Sequence, residues 1–242
     1  MPALDAPLRA SFSALVLTVF GLVGCGGAPP PAPARAAAAP PPAAEPTRPP
    51  PAAKSEIGGL NEADIERAFH KLSGDIEGCF ATGSARVAAL GGRFKMKLRI
   101  DGEGALRWAY LADSTLGDRD TEKCLLDAAR AKTWPRPVGG EGLAEKSFEI
   151  ESPQAPTALD EERFKAAIKL ARKETAKCRK AGAWGVFQAT TYLRGDGRVL
   201  AAGISPPNEK GEAVVDCMAK ALKKLRFGSV GRRTGKLSFE LR

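Results

Sequence analysis

This chain contains the same stretch of sequence twice, and the duplication restricts its fold more than its composition does. In each copy a glycine precedes a cysteine by 20 residues, and an aromatic residue follows that cysteine by 10. The two sets are Gly104, Cys124 and Trp134 in the first copy, and Gly197, Cys217 and Phe227 in the second. An alternating run that ends in a turn leads up to each glycine. A supersecondary unit that is present twice predicts two folding units of the same architecture.

We place the first repeat at residues 58–152, a short linker at 153–159 and the second repeat at 160–242. Units of this size hold only a small core and gain from cross-links. The first repeat has 14 Lys and Arg against 16 Asp and Glu, a net charge of −2, and the second has 19 against 9, a net charge of +10. The basic character of the chain therefore belongs to the second repeat, which predicts a contact surface for a polyanion.

Residues 1–24 have the pattern of an export signal. Arg9 supplies a positive charge, and residues 12–23 form a mostly apolar run that is too short to span a bilayer. Residues 22–25, Leu-Val-Gly-Cys, resemble the lipobox of bacterial lipoproteins, which implies that Cys25 is acylated and becomes the mature N-terminus. The alternative is an ordinary secretory signal with an incidental cysteine. By the lipoprotein sorting rule, Gly26 after the cysteine implies the outer membrane, with the folded part facing the periplasm.

The segment from the lipidated cysteine to residue 57 is predicted to be a disordered tether. Between residues 28 and 53, 22 of 26 residues are Pro or Ala, a composition that cannot bury a core. Its prolines favour an extended chain of about 3.1 Å per residue, which gives an upper reach of about 80 Å. A passive spacer is the simplest role for it.

Hydrophobic periodicity predicts the elements of the first repeat. Asn61 is suited to cap a helix that ends near Gly83. The apolar residues of this helix form one stripe, at spacings of 4, 3, 4 and 3: Ile65, Phe69, Leu72, Ile76 and Cys79. Residues 94–100 alternate as a half-buried strand with a basic outer face, and residues 101–104 make a turn.

The second half of the first repeat is predicted to contain a return strand, a helix and a last strand. The inward residues of the return strand, Leu106, Ala109 and Leu111, are spaced by 3 and then 2, which suggests a β-bulge. A helix over about residues 118–133 follows, and Pro135 stops it. The last strand is predicted at residues 146–151.

The second repeat has the same order of elements. Thr157 or Asp160 is expected to cap its first helix, whose buried stripe is Phe164, Ile168, Ala171, Thr175 and Cys178. The helix over about residues 211–226 is expected to turn four residues inward: Val214, Cys217, Ala221 and Leu225. The predicted fold class is therefore α+β, with two tandem α-β-β-α-β domains, each with two helices on one face of a small sheet.

The residues of the first repeat are similar to those of a known family. The run 92–104, the loop 112–118, Cys124 and the run 134–137 resemble the TonB-like C-terminal domain, and more narrowly the AgmX/PglI C-terminal family of gliding-motility and envelope proteins. The resemblance covers about residues 62–151, whereas the second repeat is degenerate. It implies an envelope interaction domain without known catalysis. We do not carry over the energy transduction of TonB, which depends on an uncleaved membrane helix.

The four cysteines after Cys25 fall two in each repeat, at equivalent positions. In an oxidising compartment this pattern predicts disulfides. Four cysteines allow three pairings, and the repeat favours Cys79 with Cys124 and Cys178 with Cys217. A shared zinc site is the alternative, although the chain lacks a Cys-x-x-Cys hairpin.

No residue pattern indicates catalysis. The one histidine, His70, lies about 140° around its helix from the apolar stripe, so we expect it on the surface. Asp101, Glu103 and Asp196 are explained by turn geometry. We therefore expect a protein that is not an enzyme and has neither cofactor nor metal.

The leading functional hypothesis is an outer-membrane lipoprotein that docks onto envelope proteins, for example in a motility or transport complex. An added strand would bind at the edge of a sheet. The last strand of the second repeat is the preferred edge, because no later segment is expected to cover it. The candidate contacts are Leu237, Ser238, Phe239, Glu240, Leu241, Arg232, Arg233, Lys236 and the aromatic Trp184. The alternative is that the basic second repeat binds an anionic glycan or lipid of the envelope; nucleic acid is not expected as a partner.

Acylation of Cys25 can be tested by replacement. Cys25→Ala should release a soluble form, because a chain without the acylated cysteine has no anchor. Fractionation and flotation of membranes from cells expressing each form measure the outcome. If the variant still floats with membranes, the lipobox interpretation is wrong.

Overall fold

The computed structural model describes residues 59–179 and 183–242. The export signal, Cys25 and the Pro/Ala-rich tether lie outside the described residues, so those expectations stay predictions. Within the described ranges no helix is long and apolar enough to cross a membrane.

The structure is a mixed α+β fold with four α-helices and two sheets. Residues of the first repeat form α1 (Glu62–Arg86), β1 (Gly92–Ile100), β2 (Leu106–Ala112), α2 (Arg119–Arg130) and β3 (Gly142–Ile150). Those that follow form β4 (Thr157–Ala158), α3 (Lys165–Ala176), β5 (Phe187–Leu193), β6 (Val199–Ser205), α4 (Glu212–Lys223) and β7 (Gly235–Leu241). Short 3-10 turns at Glu161–Phe164 and Glu209–Gly211 precede α3 and α4. The segment predicted as a linker thus contains a strand, β4.

Helix α1 begins where its capping residue predicts. The side chain of Asn61 accepts a hydrogen bond from the backbone N–H of Asp64, which satisfies one of the free donors of the first turn. The predicted stripe is buried along its whole length. The helix ends at Arg86 rather than near Gly83, because Gly83 packs against Thr121 and Leu90 inside the helix pair and does not terminate the helix.

The first hairpin contains the predicted bulge, and the second hairpin contains an equivalent one. The register shifts between Arg99 and Ile100 in one hairpin and between Tyr192 and Leu193 in the other. Ala109 and Leu111 are buried as expected, and Ala202 and Ile204 occupy the equivalent positions. The extra residue changes the side of the strand that faces the core.

The strand orders are β2-β1-β3 in the first sheet and β4-β7-β5-β6 in the second. Strand β3 starts at Gly142, four residues before the predicted start, and pairs with all of β1. It lies at an edge of its sheet. Strand β7 does not, because Thr157 and Ala158 pair in parallel with Gly235 and Lys236. The expectation that β7 is an uncovered edge is wrong over its first part: an earlier segment of the chain covers it.

The structure contains both disulfides, Cys79–Cys124 and Cys178–Cys217. Cys79 and Cys178 are buried, whereas Cys124 and Cys217 are exposed. The predicted inward face of α4 is therefore partly wrong. Its buried residues are Val214, Val215, Met218, Ala219 and Leu222, so the cysteine lies on the flank of α4 that faces α3.

Each sheet packs its helices over a hydrophobic cluster of its own. The two clusters are not fully separate, because Tyr192 and Ala201 of the second sheet belong to the cluster of the first. The described residues accordingly belong to one compact unit. The outer face of the second sheet, which points away from α3 and α4, is buried against the first repeat.

Candidate functional site

The predicted contact strand β7 is mostly internal. Leu237, Phe239 and Leu241 are fully buried in the cluster of the second sheet. Ser238 and Glu240 are half-buried on the opposite face. The apolar half of the predicted contact set therefore packs the core and cannot reach a partner.

The outer side of β7 is also largely occupied. Beyond β4, the N–H of Leu159 donates to the carbonyl of Lys236 (2.9 Å). Arg172 Nε donates to the carbonyl of Glu240 (2.9 Å), and Arg179 donates to that of Leu241 (3.0 Å). The outward carbonyl groups of β7 are those of Lys236, Ser238 and Glu240, because alternate residues direct these groups to opposite sides. Two of the three are therefore occupied, and that of Leu241 is not among them.

The charged and aromatic residues predicted around β7 do not come together. Lys236 Nζ donates to the carbonyl of Gly91 (2.6 Å), and burial lowers the pKa of this lysine to about 8. It joins the two repeats. Arg232 and Arg233 are exposed, and Trp184 is 75% exposed just before β5.

The long open edge is β3 in the first repeat. The backbone groups of Arg93 point away from β3, since Arg93 N–H donates to Thr115 Oγ1 and its carbonyl accepts from the Thr115 N–H (2.8 Å). Alternate residues of an antiparallel strand direct these groups to opposite sides. The register then leaves four residues of β3 with outward backbone groups: Leu143, Glu145, Ser147 and Glu149.

The other two edges, β2 and β6, meet contacts across the interface of the repeats. Ser205 Oγ donates to the carbonyl of Leu111 (3.0 Å), and the N–H of Ile204 donates to Glu122 Oε2 (3.4 Å). A further clamp holds Gly91, whose N–H donates to the Tyr192 hydroxyl (3.2 Å) while that hydroxyl donates to the Gly91 carbonyl (3.0 Å). Contacts between the repeats therefore satisfy backbone groups on the edges of β2 and β6 that would otherwise lack a partner.

Glu122 lies at the centre of this interface with 1% of its surface exposed. Its Oε1 accepts from Ser114 Oγ (3.1 Å) and its Oε2 from the Ile204 N–H. Gly203 leaves room for it, because a Cβ at that position would collide with the carboxylate. Desolvation raises the pKa of Glu122 to about 7.

Ion pairs at the rim of the interface join equivalent positions of the two repeats. Counting from the matched glycines, Arg119 corresponds to Glu212 and Lys123 to Asp216. Arg119 donates to Glu212 Oε1 (2.6 Å) and to Asp216 Oδ1 (2.7 Å), and Lys123 Nζ lies 3.7 Å from Asp216 Oδ2. Opposite charges at matched positions favour pairing of the first repeat with the second over pairing of like repeats.

The histidine and the two matched aromatic residues have structural explanations. His70 is exposed, as expected from its place on α1. Trp134 and Phe227 are buried packing residues, and Trp134 Nε1 donates to the carbonyl of Ala129 (3.0 Å). No cluster of three His, Cys, Asp or Glu side chains that could hold a metal is found in residues 59–179 and 183–242.

Comparison of the chain with protein-family models, with curated proteins and with solved structures found no match.

The interface is the part of the site that sequence reasoning missed, although a signal for it exists. The outer face of β1 carries Lys97 and Arg99, and the matched residues of β5 are Thr190 and Tyr192. Loss of charge from an alternating strand face indicates that something covers it. In the structure the loop at Gly117 is part of this cover. A Cβ at Gly117 would collide with Thr190, and the φ of Gly117 is +75°.

The buried carboxyl of Glu122 predicts a pH-dependent stability. Its pKa is raised from the ordinary 4.5 to about 7 in the folded chain. The folded state therefore binds this proton more tightly, and the stabilisation is complete below about pH 4.5 and lost as the pH rises through about 7. Glu122→Gln cannot ionise and should lack this loss. Relative to wild type, the variant should gain up to about 1.4 kcal/mol of unfolding free energy per pH unit in that window.

Urea unfolding of both forms at several pH values, with the disulfides intact, measures the difference. Glu77→Gln, a neutralised carboxyl on the exposed face of α1, is the matched control and should leave the pH profile unchanged. Parallel profiles for wild type and Glu122→Gln would show that Glu122 does not titrate in this range.

Proposed function

We propose that the protein is a non-catalytic, outer-membrane lipoprotein that acts as a protein-interaction module of the cell envelope. In this proposal the repeats are two tandem TonB-like C-terminal domains of the AgmX/PglI type, held off the membrane by the Pro/Ala-rich tether and facing the periplasm. The resemblance of residues 62–151 and the lipobox-like sequence at Cys25 support it. The open edge of β3 is the observation that carries the docking role.

Strand β3 is suited to accept an extended segment of a partner. It is nine residues long, and its pairing with β1 is unbroken from Gly142 to Ile150. Every second residue presents an N–H and a carbonyl outward, so an added strand would gain a ladder of hydrogen bonds. We prefer this edge to β7, whose outer side is partly covered by β4, Leu159 and Arg172.

The side chains along β3 restrict the partner. Glu145 already lies 3.3 Å from Lys97 and 3.9 Å from Lys95. Glu149 has no ion pair within the described part of the chain, so a basic residue opposite it would form a cross-strand pair worth about 0.2–1 kcal/mol. We therefore favour an extended partner segment with basic residues. The competing role for these charges is protection of the edge against aggregation.

Replacement of Ser147 by proline tests strand addition at β3. The backbone N–H of Ser147 points outward, so proline should remove a hydrogen bond to the partner while the β1–β3 pairing persists. Ser147→Ala is the matched control, because it changes the side chain and keeps the N–H. We expect Ser147→Pro to lose the envelope proteins that cross-link to wild type, and Ser147→Ala to retain them.

Circular dichroism and non-reducing peptide mapping would establish that the proline variant keeps the fold and both disulfides. If the folded Ser147→Pro variant captures the same proteins as wild type, docking does not use this edge. Wild-type chain that captures no envelope protein, with or without cross-linker, would count against the interaction role as a whole.

A second candidate function is binding of an anionic lipid surface by α3 and α4. Lys169 and Lys173 on α3, Lys220 on α4 and Lys224 just after α4 are exposed. None of the four forms an ion pair within the described ranges. A groove of about 790 Å³ between these helices is lined by apolar, basic and acidic residues, among them Leu170, Leu225, Lys220, Lys224, Glu174 and Asp216. The unpaired lysines of this region and the apolar part of the groove together fit an anionic amphiphile.

Vesicle binding at different salt concentrations tests this second candidate. Lys169→Gln with Lys173→Gln should weaken binding to vesicles that contain phosphatidylglycerol by roughly 30-fold, since each lysine near such a surface contributes about 1 kcal/mol. Lys71→Gln, on α1 of the first repeat, is the control. Binding should also fall as salt rises. Binding that is insensitive to salt, or equal on vesicles of phosphatidylcholine alone, would exclude the electrostatic role.

A further inference from the structure

A polar cleft lies between the two repeats, apart from both β3 and the helix groove. Its volume is about 510 Å³, within the usual range of small-molecule sites. Arg93, Lys97 and Tyr110 come from the outer face of the first sheet, and Gln188 and Pro207 from the second repeat. Neither repeat alone contains the site, because its two walls belong to different sheets.

Tyr110 is a buried polar residue in the lining of this cleft. The side chain is only 7% exposed, and its ring packs against Trp108 with the centroids 5.6 Å apart. The hydroxyl has no hydrogen-bond partner among the described residues, yet no buried side-chain oxygen or nitrogen in those residues lacks a partner. The hydroxyl must therefore open into the cleft. Burial raises the pKa of Tyr110, so at neutral pH it is a hydrogen-bond donor.

Arg93 is the charged lining group that the protein leaves without a counter-ion. Lys97 is paired with Glu145 (3.3 Å). The two acidic groups of the lining are also paired: Asp113 with Lys95 (3.6 Å) and Glu240 with Arg242 (2.7 Å). Within the described ranges Arg93 has no ion pair, so its guanidinium can receive an anion. The matched residue in the second repeat is Val186, so the second repeat has no arginine at the equivalent position.

The backbone of an exposed aromatic residue, Trp184, lies beside one wall of the cleft. The carbonyl of Trp184 accepts from Asn208 Nδ2 (3.4 Å), and a Cβ at Gly185 would lie 2.9 Å from the ring of Pro207. These contacts hold the backbone of residues 184–185 against the Pro207 wall. Trp184 is 75% exposed, so its indole has a flat apolar face that is not packed in the core.

We propose that this cleft binds a sugar that carries a carboxylate, with Arg93 holding the carboxylate, Tyr110 and Gln188 bonding ring oxygens, and Trp184 packing against the ring. A guanidinium binds a carboxylate through two parallel hydrogen bonds. The ring of a sugar has an apolar C–H face and polar edges, which matches an indole beside hydrogen-bonding side chains. An apolar peptide segment is a poorer fit, because the lining is predominantly polar and charged.

Titration of the purified chain with glucuronate, followed by backbone amide shifts in NMR spectra, tests the proposal. Glucose tests the need for the carboxylate, and the dipeptide alanyl-alanine tests whether a carboxylate without a sugar ring is sufficient. We expect saturable shifts at residues 93, 110 and 188 with glucuronate, and binding at least about tenfold weaker for the other two compounds.

Variants distinguish binding in the cleft from non-specific attraction to the basic surface. Arg93→Gln should weaken glucuronate binding at least about tenfold, and Tyr110→Phe about threefold to tenfold, as for a charged and a neutral hydrogen bond. Arg232→Gln, an exposed arginine outside the cleft, should have no effect. Trp184→Ala should weaken glucuronate but not the dipeptide.

Three results would overturn the proposal: no saturable binding of glucuronate, equal binding by Arg93→Gln and wild type, or equal binding of glucuronate and alanyl-alanine. None of these bears on strand addition at β3, because the cleft residues are not part of that edge.

Discussion

A buried carboxylate between the repeats is the contact on which the rest of this structure depends. Glu122 can leave water only because Ser114 and the backbone of Ile204 bond to its oxygens and Arg119 lies nearby. A buried charge without such partners would cost several kcal/mol. The same carboxylate bonds an outward N–H of β6, so one side chain both joins the repeats and closes a sheet edge. Positions 203 and 117 hold glycine, and a Cβ at either position would collide with atoms of this interface.

The two repeats have diverged into unlike partners. In the first, the outer face of β1 stays charged, whereas in the second the matching face of β5 is covered by the loop that precedes α2. The pairs Arg119–Glu212 and Lys123–Asp216 show the same divergence, since equivalent positions carry opposite charges. Two copies of the first repeat would bring Arg119 against itself at this place. The duplication therefore produced an interface that distinguishes one repeat from the other, and left the β3 edge and the junction cleft for the proposed contacts.

The local sequence pattern was sufficient to predict most of the helices and strands. The spacing of the apolar residues predicted α1, the hairpins with their bulges and the pairs of cysteines, because each depends on neighbours in sequence or on the repeat itself. The predictions failed where a distant segment decided the outcome. Cys217 lies on the flank of α4, although its period matched the buried face, since the disulfide has to reach α3. Strand β7 was taken for an edge because β4 is only two residues long and gives no periodic signal.

Prediction of the candidate site was also limited by contacts between residues that are distant in sequence. Trp184 was named from the sequence as a candidate aromatic contact, and it is exposed. The arrangement of Arg93, Tyr110 and Gln188 could not be expected, because it depends on how one sheet lies against the other. The loss of charge from the outer face of β5 indicated that a cover exists, but not which segment supplies it.

The unequal sheet edges set a limit on assembly. An open edge at each end of a sheet allows a fibre to grow, since each added chain presents a new edge. Here β2 and β6 are engaged at the junction, and β4 is short, so β3 is the long edge that remains free among the described strands. A strand that pairs with β3 leaves no equivalent acceptor behind it. Pairing through this edge would thus be self-terminating: it yields a complex of fixed size, whether the added strand comes from another protein or from a second copy of this chain.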